Sequence, residues 1–574
     1  MDKSLLDWVS EQISQGAQSL EITAAVARAV AANRNLPLNG SEPALLNIGS
    51  LKAPDGVIYT ADIIGSVYEQ SLDASTRRHG GVHYTPFEVA KKLARMSLNG
   101  LPVGPVCDPS VGGGAFLLAA GEYFLELGES TSRIIEELLW GIDLDPGAIE
   151  VAKASLSIWG SVESWIPIGK HLVVSDSLKK GIGSFEDPPQ EGFTAVIGNP
   201  PFQNQLQEST VRPLEETQEL RKKWQVKAGP YADTASYFLL VALSFLGKKA
   251  KCLLIQPQSV LATVDAEPIR TKVKQEANLE GIWIGGPNIF EAGVNVCAPL
   301  ISKGFSYEHV RIWTGTQIDE LPNRLDDRDN WASAIAIAQG APAINLEGNH
   351  LGEIASATAG FRDQFYGLAP HVTEYKSEMT DVAPLITVGM IDPLRNRWGS
   401  AQFRYAGKSW LKPVVDLRSL LKQDEELYEW VKDRLKPKVL LATQTKVIEV
   451  LPDPEGKLIP STPVISIECA SQDVWKIASA LSSAAMSAHV FSKVAGSALS
   501  SNTIKLSAKQ VNALPLPYDL QRWEQASYHA HQVFNSKAKD VDLIQKMSQQ
   551  ISLAYDCSDT LLEDWWAKRL PKWR

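Results

Sequence analysis

Four short apolar runs, each stopped by a polar or proline-bearing turn, constrain this 574-residue chain more than any other feature. They are Val106 to Asp108, Leu139 to Asp143, His171 to Ser175 and Phe193 to Gly198. Runs that are apolar throughout, without alternation, suit strands buried on both faces, as in a parallel sheet. Helix-like segments follow the first two, from Leu117 to Leu127 and from Ala148 to about Ile158. Strand alternating with helix predicts an α/β fold of the open kind that binds ligands at the carboxyl ends of its strands.

The residues at those ends are the informative ones. The first run ends in Asp108-Pro109-Ser110-Val111-Gly112-Gly113-Gly114-Ala115-Phe116, a glycine turn opening a helix, where backbone can approach a ligand closely. Phosphate is the obvious competitor, but no Gly-Lys-Ser/Thr follows, and Asp108 suits an ammonium or a hydroxyl better. The second run ends at Asp143, with Asp145 one step further into the loop, where an acid takes ribose hydroxyls. The third ends at Asp176-Ser177, where a carboxylate would accept from an adenine amino group. Each acid alone reads as a helix cap; three at successive strand ends read as a site.

The fourth run closes in Asn199-Pro200-Pro201-Phe202. Asn199 offers an amide oxygen, Pro200 a carbonyl with no N–H beside it, and Phe202 a flat face, a set that fits an exocyclic amino group on a planar ring. Upstream, His83-Tyr84-Thr85-Pro86 precedes a helix reaching about Leu98, with Thr85 expected at the N-cap and Pro86 at the first helical position. That helix start would present N–H groups to a carboxylate.

Composition narrows the class. At 44% hydrophobic and 21% charged the chain is globular, and its length calls for two or three domains. The five cysteines are scattered, with no C-x-x-C and no clustered histidine, so neither a disulfide framework nor a metal site is indicated. No run approaches the ~18 apolar residues of a membrane span, and the first residues carry no signal-peptide pattern, which predicts a cytoplasmic protein. The net charge of −10 sits in the front half, since residues 351–574 hold 27 Lys+Arg against 25 Asp+Glu. A less acidic back half is what a DNA-facing domain requires.

In this order the motifs resemble those of the gamma-class N6-adenine DNA methyltransferases, which depend on S-adenosyl-L-methionine. The pieces are Tyr84-Thr85-Pro86, Asp108 through Phe116, Asp143, Asp176 and Asn199 through Phe202, and the resemblance extends over roughly residues 63–520. It implies a Rossmann-like, seven-stranded, mostly parallel methyltransferase sheet joined to a mixed α+β target-recognition domain. It implies further that Tyr84, Thr85, Asp108, Pro109, Gly112, Gly114, Phe116, Asp143, Asp176 and Asn199 hold the cofactor. The Asn199-Pro200-Pro201-Phe202 corner would be catalytic, and Phe202 with Phe290 would stack on a flipped-out adenine. The implied partner is double-stranded DNA, with a nuclease or defence-complex partner also open, in a bacterial cytoplasm, associated with the nucleoid in use.

The remainder divides accordingly: a helical extension over 1–62, the methyltransferase domain over 63–315, a connection over 316–352, the recognition domain over 353–520 and a helical tail over 521–574. After the corner, Gln203 to Tyr231 is a charged insertion. A helix over 233–246 and strands over 251–255, 281–285 and 294–302 complete the sheet, with Phe290 between the last two. In the back half, stretches around Arg362 and Gln364, Thr387, and Lys438 through Thr443, Gln444 and Lys446 resemble recognition domains, their groups being of the types that contact phosphates and base edges. Trp475 to Phe491 reads as one helix. Two alternatives stay open at this level: methylation of another amino acceptor, in RNA adenine or protein glutamine, and a non-catalytic DNA-binding subunit of a defence complex.

Overall fold

The structure is a computed structural model. It describes residues 2–72, 85–162, 164–166, 168, 170–203, 212–286, 289, 294–325, 330–360, 362–497, 502–536 and 541–571. The chain forms two compact units, Met1–Asp329 and Asn330–Arg574. The boundary falls inside the stretch expected as a connection.

The first unit is built on one sheet. Its strands are β1 (Val106–Asp108), β2 (Leu139–Asp143), β3 (Leu172–Val174), β4 (Phe193–Gly198), β5 (Leu246–Leu254), β6 (Gln256–Pro257), β7 (Asn278–Ile284), β8 (Val296–Lys303), β9 (Arg311–Thr314) and β10 (Asp319–Glu320). The order is β10-β9-β7-β8-β5-β4-β1-β2-β3, with β6 on β8. The run β3-β2-β1-β4-β5 is parallel, and β8 enters antiparallel between β5 and β7. These seven strands are the expected mostly parallel sheet; β9 and β10 lengthen it at the β7 edge. Strand order reverses between β1 and β4, so the crevice beyond their carboxyl ends is the switch point of the fold.

Helices α1 (Lys3–Ser14), α2 (Ser19–Asn33) and α3 (Ala61–Ser71) belong to this unit. Leu5, Val9, Ile22, Val26, Val30, Ile64 and Val67 form one apolar cluster with Ala148, Val151, Ala154 and Ile158 of the helix Pro146–Gly160. The residues of the expected extension are thus a second core on the flank of the sheet. Arg34 reinforces it by donating to the Trp159 carbonyl at 2.9 Å.

The second unit holds two four-stranded sheets. One is β11 (Ala355–Ala359), β22 (Ile465–Cys469), β19 (Lys438–Leu441) and β20 (Val450–Asp453); the other is β12 (Val372–Glu374), β18 (Pro413–Asp416), β13 (Val382–Ile386) and β21 (Ile459–Pro460). Hairpins β14 (Ile391–Asp392) with β15 (Arg395–Asn396) and β16 (Phe403–Tyr405) with β17 (Lys408–Trp410) lie between them in sequence. The helix expected over Trp475 to Phe491 is two, Val474–Leu481 and Ala484–Val494, because the Ser483 hydroxyl caps a new start by accepting from the Met486 N–H at 3.1 Å. The tail packs back on this unit: Trp523 donates to the Lys476 carbonyl at 2.7 Å, and Trp566 is fully buried. No helix among the described residues is long and apolar enough to cross a membrane.

Candidate functional site

The loop after β1 is shaped by its glycines. Gly112 has φ +50 and Gly114 φ +90, backbone that L side chains rarely adopt. Gly113 needs its missing side chain for another reason, since a Cβ there would come within 2.3 Å of the Gly65 Cα on α3. The loop is fixed on its other sides by hydrogen bonds. Val111 N–H donates to the Ile142 carbonyl at 2.8 Å, and the Ser177 hydroxyl donates to the Pro109 carbonyl at 2.9 Å. Phe116, on the helix Ala115–Glu126 that follows, is buried in the main core, so its part is to anchor that helix.

Three carboxyl groups surround this loop. Asp143, at the end of β2, accepts from Gly112 N–H at 2.8 Å and from Asp145 N–H at 2.9 Å. Asp108 is buried and accepts from Ser110 N–H at 3.0 Å. The third is Glu69 of α3, which no sequence motif singles out, and its Oε2 is buried with no hydrogen-bond partner among the described residues. Burial pushes the Asp108 carboxyl up to about 8, with Asp143 adding to the effect. Burial, with Asp143 again adding, likewise pushes Glu69 up to about 8. Asp143 itself is raised, chiefly by burial and against the hydrogen bonds it accepts. Three carboxyls with raised pKa values around a glycine loop, stabilised in their ionised forms among the described residues by N–H groups, would be relieved by a cationic ligand.

Asp145 is the cap of the helix Pro146–Gly160, accepting from Gly147 N–H at 2.8 Å, and it also accepts from the Tyr68 hydroxyl at 2.5 Å. Gly65, Tyr68 and Glu69 are spaced i, i+3, i+4, so one face of α3 meets both the glycine loop and the turn after β2. That spacing was the available signal for Glu69. Asp176 caps the short helix Ser177–Lys180 by accepting from Lys179 N–H at 3.1 Å, which commits one of its oxygens.

At the end of β4 the Asn199 amide is oriented from behind. Its Nδ2 donates to the Thr85 hydroxyl at 3.0 Å, which places Oδ1 at the opposite end of the group. Thr85 is therefore not the expected N-cap. The helix starts at Phe87 with Pro86 at the cap position, so the threonine lies one step outside and its hydroxyl is free to hold Asn199. Beyond the prolines, Gln203 N–H donates to Asp233 at 3.2 Å, and the Thr234 hydroxyl donates to the Gln203 side chain at 2.9 Å. The corner is thereby tied to the start of the helix Thr234–Phe245. Phe202 is buried in the main core cluster. Tyr84 and Phe290 lie outside the described residues.

In the second unit the expected nucleic-acid contacts divide. Lys438 requires correction: it has no exposed side-chain surface and its Nζ is paired with Asp453 at 2.6 Å. Its ammonium holds β19 to β20 and is not presented to a phosphate. Thr443 is 6% exposed with its hydroxyl enclosed, so it too faces inward. Gln444 and Lys446 are exposed. Gln444 takes a left-handed backbone at φ 64, and its N–H donates to the Ile504 carbonyl at 2.9 Å. The side chains of Arg362 and Gln364 lie outside the described set, though both residues belong to the helix Arg362–Leu368.

Residues 59–320, which carry this strand order, the glycine loop and the Asn-Pro-Pro-Phe corner, match the family model described as N-6 DNA Methylase. Among curated proteins, the type II methyltransferase M.XamI of Xanthomonas campestris pv. amaranthicola is 26% identical over 170 residues, 29% of this chain and 27% of that protein. The type II methyltransferase M.VspI of Vibrio sp. (strain 343) is 24% identical over 184 residues, 32% of this chain and 38% of that protein. The chain thus spans well under half the length of these relatives. Among solved structures, the type IIL restriction-modification enzyme MmeI in complex with DNA shares the fold at a TM-score of 0.60 and 13% identity, covering 90% of this chain and 81% of that one.

Proposed function

We propose that the protein is a sequence-specific DNA adenine methyltransferase, moving the methyl group of S-adenosylmethionine to N6 of an adenine in double-stranded DNA. The observation that carries this reading is the Asn199 amide, pinned through Nδ2 on Thr85 at a strand end one strand away from the glycine loop. The groups around the loop suit the cofactor's chemistry. A buried carboxyl oxygen of Glu69 with no hydrogen-bond partner among the described residues, together with the acids Asp108 and Asp143, fits a ligand bearing an ammonium, a sulfonium and ribose hydroxyls. Asp176 would accept from its adenine amino group with the oxygen not used for capping. When bound, the cofactor supplies an electrophilic methyl group.

The protein's part is positioning. The adenine amino group is buried in the duplex stack, so the base must leave it, at a cost of about a few kcal/mol. Asn199 Oδ1 and the Pro200 carbonyl then accept the two amino hydrogens, which draws the nitrogen toward tetrahedral geometry and aims its lone pair. Pro201 and the Gln203 to Asp233 tie keep those acceptors fixed, so their cost of ordering is met during folding. Phe202 and Phe290 would hold the faces of the ring. Gln444, Lys446, Arg362 and Gln364 would contact the duplex. The bacterial origin of both curated relatives supports a bacterial cytoplasmic setting.

Long-read sequencing of modified bases in cells with and without the gene tests the reading. One short sequence carrying N6-methyladenine only when the gene is present is expected. Identical modification in both strains contradicts it.

A further inference from the structure

β6, which follows β5 after one residue, opens with a side chain that neither the fold nor the proposed chemistry uses. Gln256 has no exposed surface, and neither its Oε1 nor its Nε2 has a hydrogen-bond partner among the described residues. A primary amide buried with all its capacity unmet is a costly arrangement, and natural cores rarely keep one unless a ligand or water completes it. Two residues further on, Gln258 is 4% exposed, and its Nε2 donates to the Val296 carbonyl at 3.1 Å while its Oε1 is buried without a partner.

The place of Gln256 in the sheet decides what would complete it. β5 runs parallel to β4 with Leu254 opposite Gly198, and Ile255 N–H donates to the Gly198 carbonyl at 2.9 Å. Gln256 therefore stands one residue beyond that hydrogen bond, as Asn199 stands one residue beyond Gly198. On its other side it is paired with Cys297 of β8. With Gly198 paired to Leu254, Gln256 falls opposite Pro200, one residue step from Asn199, so two carboxamides stand close together at the same edge of the sheet. Asn199 has its nitrogen engaged on Thr85 and brings an acceptor; Gln256 brings two N–H donors that nothing among the described residues satisfies.

Resting on the methyltransferase reading, we propose that Gln256 is a target-base positioning residue, its Nε2 donating to a ring nitrogen of the adenine whose amino group is held by Asn199 and Pro200. A ring nitrogen next to an amino group is the pattern adenine presents, acceptor beside donor. The amino hydrogens being taken by the two corner acceptors, the neighbouring nitrogen needs a donor, and Gln256 is the side chain with donors to spare. The same contact would disfavour a base that carries N–H at that position, adding selectivity at the pocket to that obtained along the duplex.

The test uses the full-length protein and a duplex carrying the site located by sequencing, with the target adenine intact or replaced by its 1-deaza or 7-deaza analogue. For the wild type, one of the two analogues should lower kcat/KM by about tenfold or more. Gln256→Leu should lower kcat/KM on the natural site by about 10- to 100-fold, leave cofactor Kd within about twofold and abolish the analogue penalty. Gln256→Met, of similar length but without an N–H or O–H donor, should behave alike, which covers a leucine variant that fails to fold. If the amide only encloses water, Gln256→Leu will raise Tm and keep wild-type kcat/KM and the full analogue penalty, and the proposal is overturned. A wild-type protein that methylates no adenine overturns the underlying reading instead.

Discussion

Two buried acidic centres in the first unit differ in how their charge is met. Glu280, on β7, is 3% exposed and fully partnered: Lys251 lies 3.1 Å away, Arg311 forms a close ion pair, and the Ser302 and Tyr307 hydroxyls donate at 2.9 and 2.7 Å. Asp108, Glu69 and Asp143 lie around the glycine loop, and their donors among the described residues are backbone N–H groups. The first centre has its counter-charges built in and locks β5, β7 and β9 together. The second has none among the described residues, and burial first, with the neighbouring carboxylates adding, drives its pKa values upward. A fold keeps an uncompensated centre where a ligand supplies what is missing, so the contrast separates structure from site without reference to any relative.

Substitutions should divide along the same line. Asn199→Ala, at the acceptor that the second centre serves, is expected to lower methyl transfer by about a thousandfold or more while Tm and cofactor affinity stay near wild type. A labelled-methyl DNA assay with calorimetry reads all three. Glu280→Ala strands Lys251 in the core and should cost about 3–5 kcal/mol of stability in a denaturant titration. Its activity should fall only in proportion to unfolded protein. Asp143→Ala should weaken cofactor binding by about 10- to 100-fold, or about 1.4–2.7 kcal/mol, with stability unchanged or raised. A destabilised Asp143→Ala with normal affinity would erase the distinction between the two centres.

The pH dependence sharpens the comparison further. Asp108 and Glu69 are held near 8 when folded, above the ordinary carboxylate range, so across neutral pH the folded state binds protons that the unfolded state has released. Their contribution is therefore lost as pH rises from about 4 toward about 8. The ligand-free protein should lose stability over that interval, and Asp108→Asn should flatten the slope. Binding a cationic cofactor at neutral pH should release protons, seen as a calorimetric enthalpy that varies with the ionisation heat of the buffer.

Much of this was legible from strand ends. Apolar runs that stop at Asp108, Asp143, Asp176 and Asn199 fix a parallel sheet and its ligand edge, because burial on both faces leaves polar groups only where strands end. What sequence conceals is contact across distance. Glu69 lies 39 residues before Asp108 and joins the site only because Gly65 and Gly113 let two backbones touch. Lys438 read as a surface cation because its counter-ion, Asp453, is 15 residues away and becomes its neighbour only once β19 pairs with β20. Thr85 looked like a cap for the same reason: its true partner, Asn199, is 114 residues distant.

The central claim is that Asn199 and Pro200 hold the amino group of an adenine in DNA. The most direct measurement is to incubate the purified protein with bacterial genomic DNA and S-adenosylmethionine labelled in the methyl group, digest the DNA to nucleosides and identify the labelled species by mass spectrometry. The account expects label in N6-methyladenine with the wild-type protein and none with Asn199→Ala. Label in a methylated cytosine, or N6-methyladenine formed equally by both proteins, would contradict it.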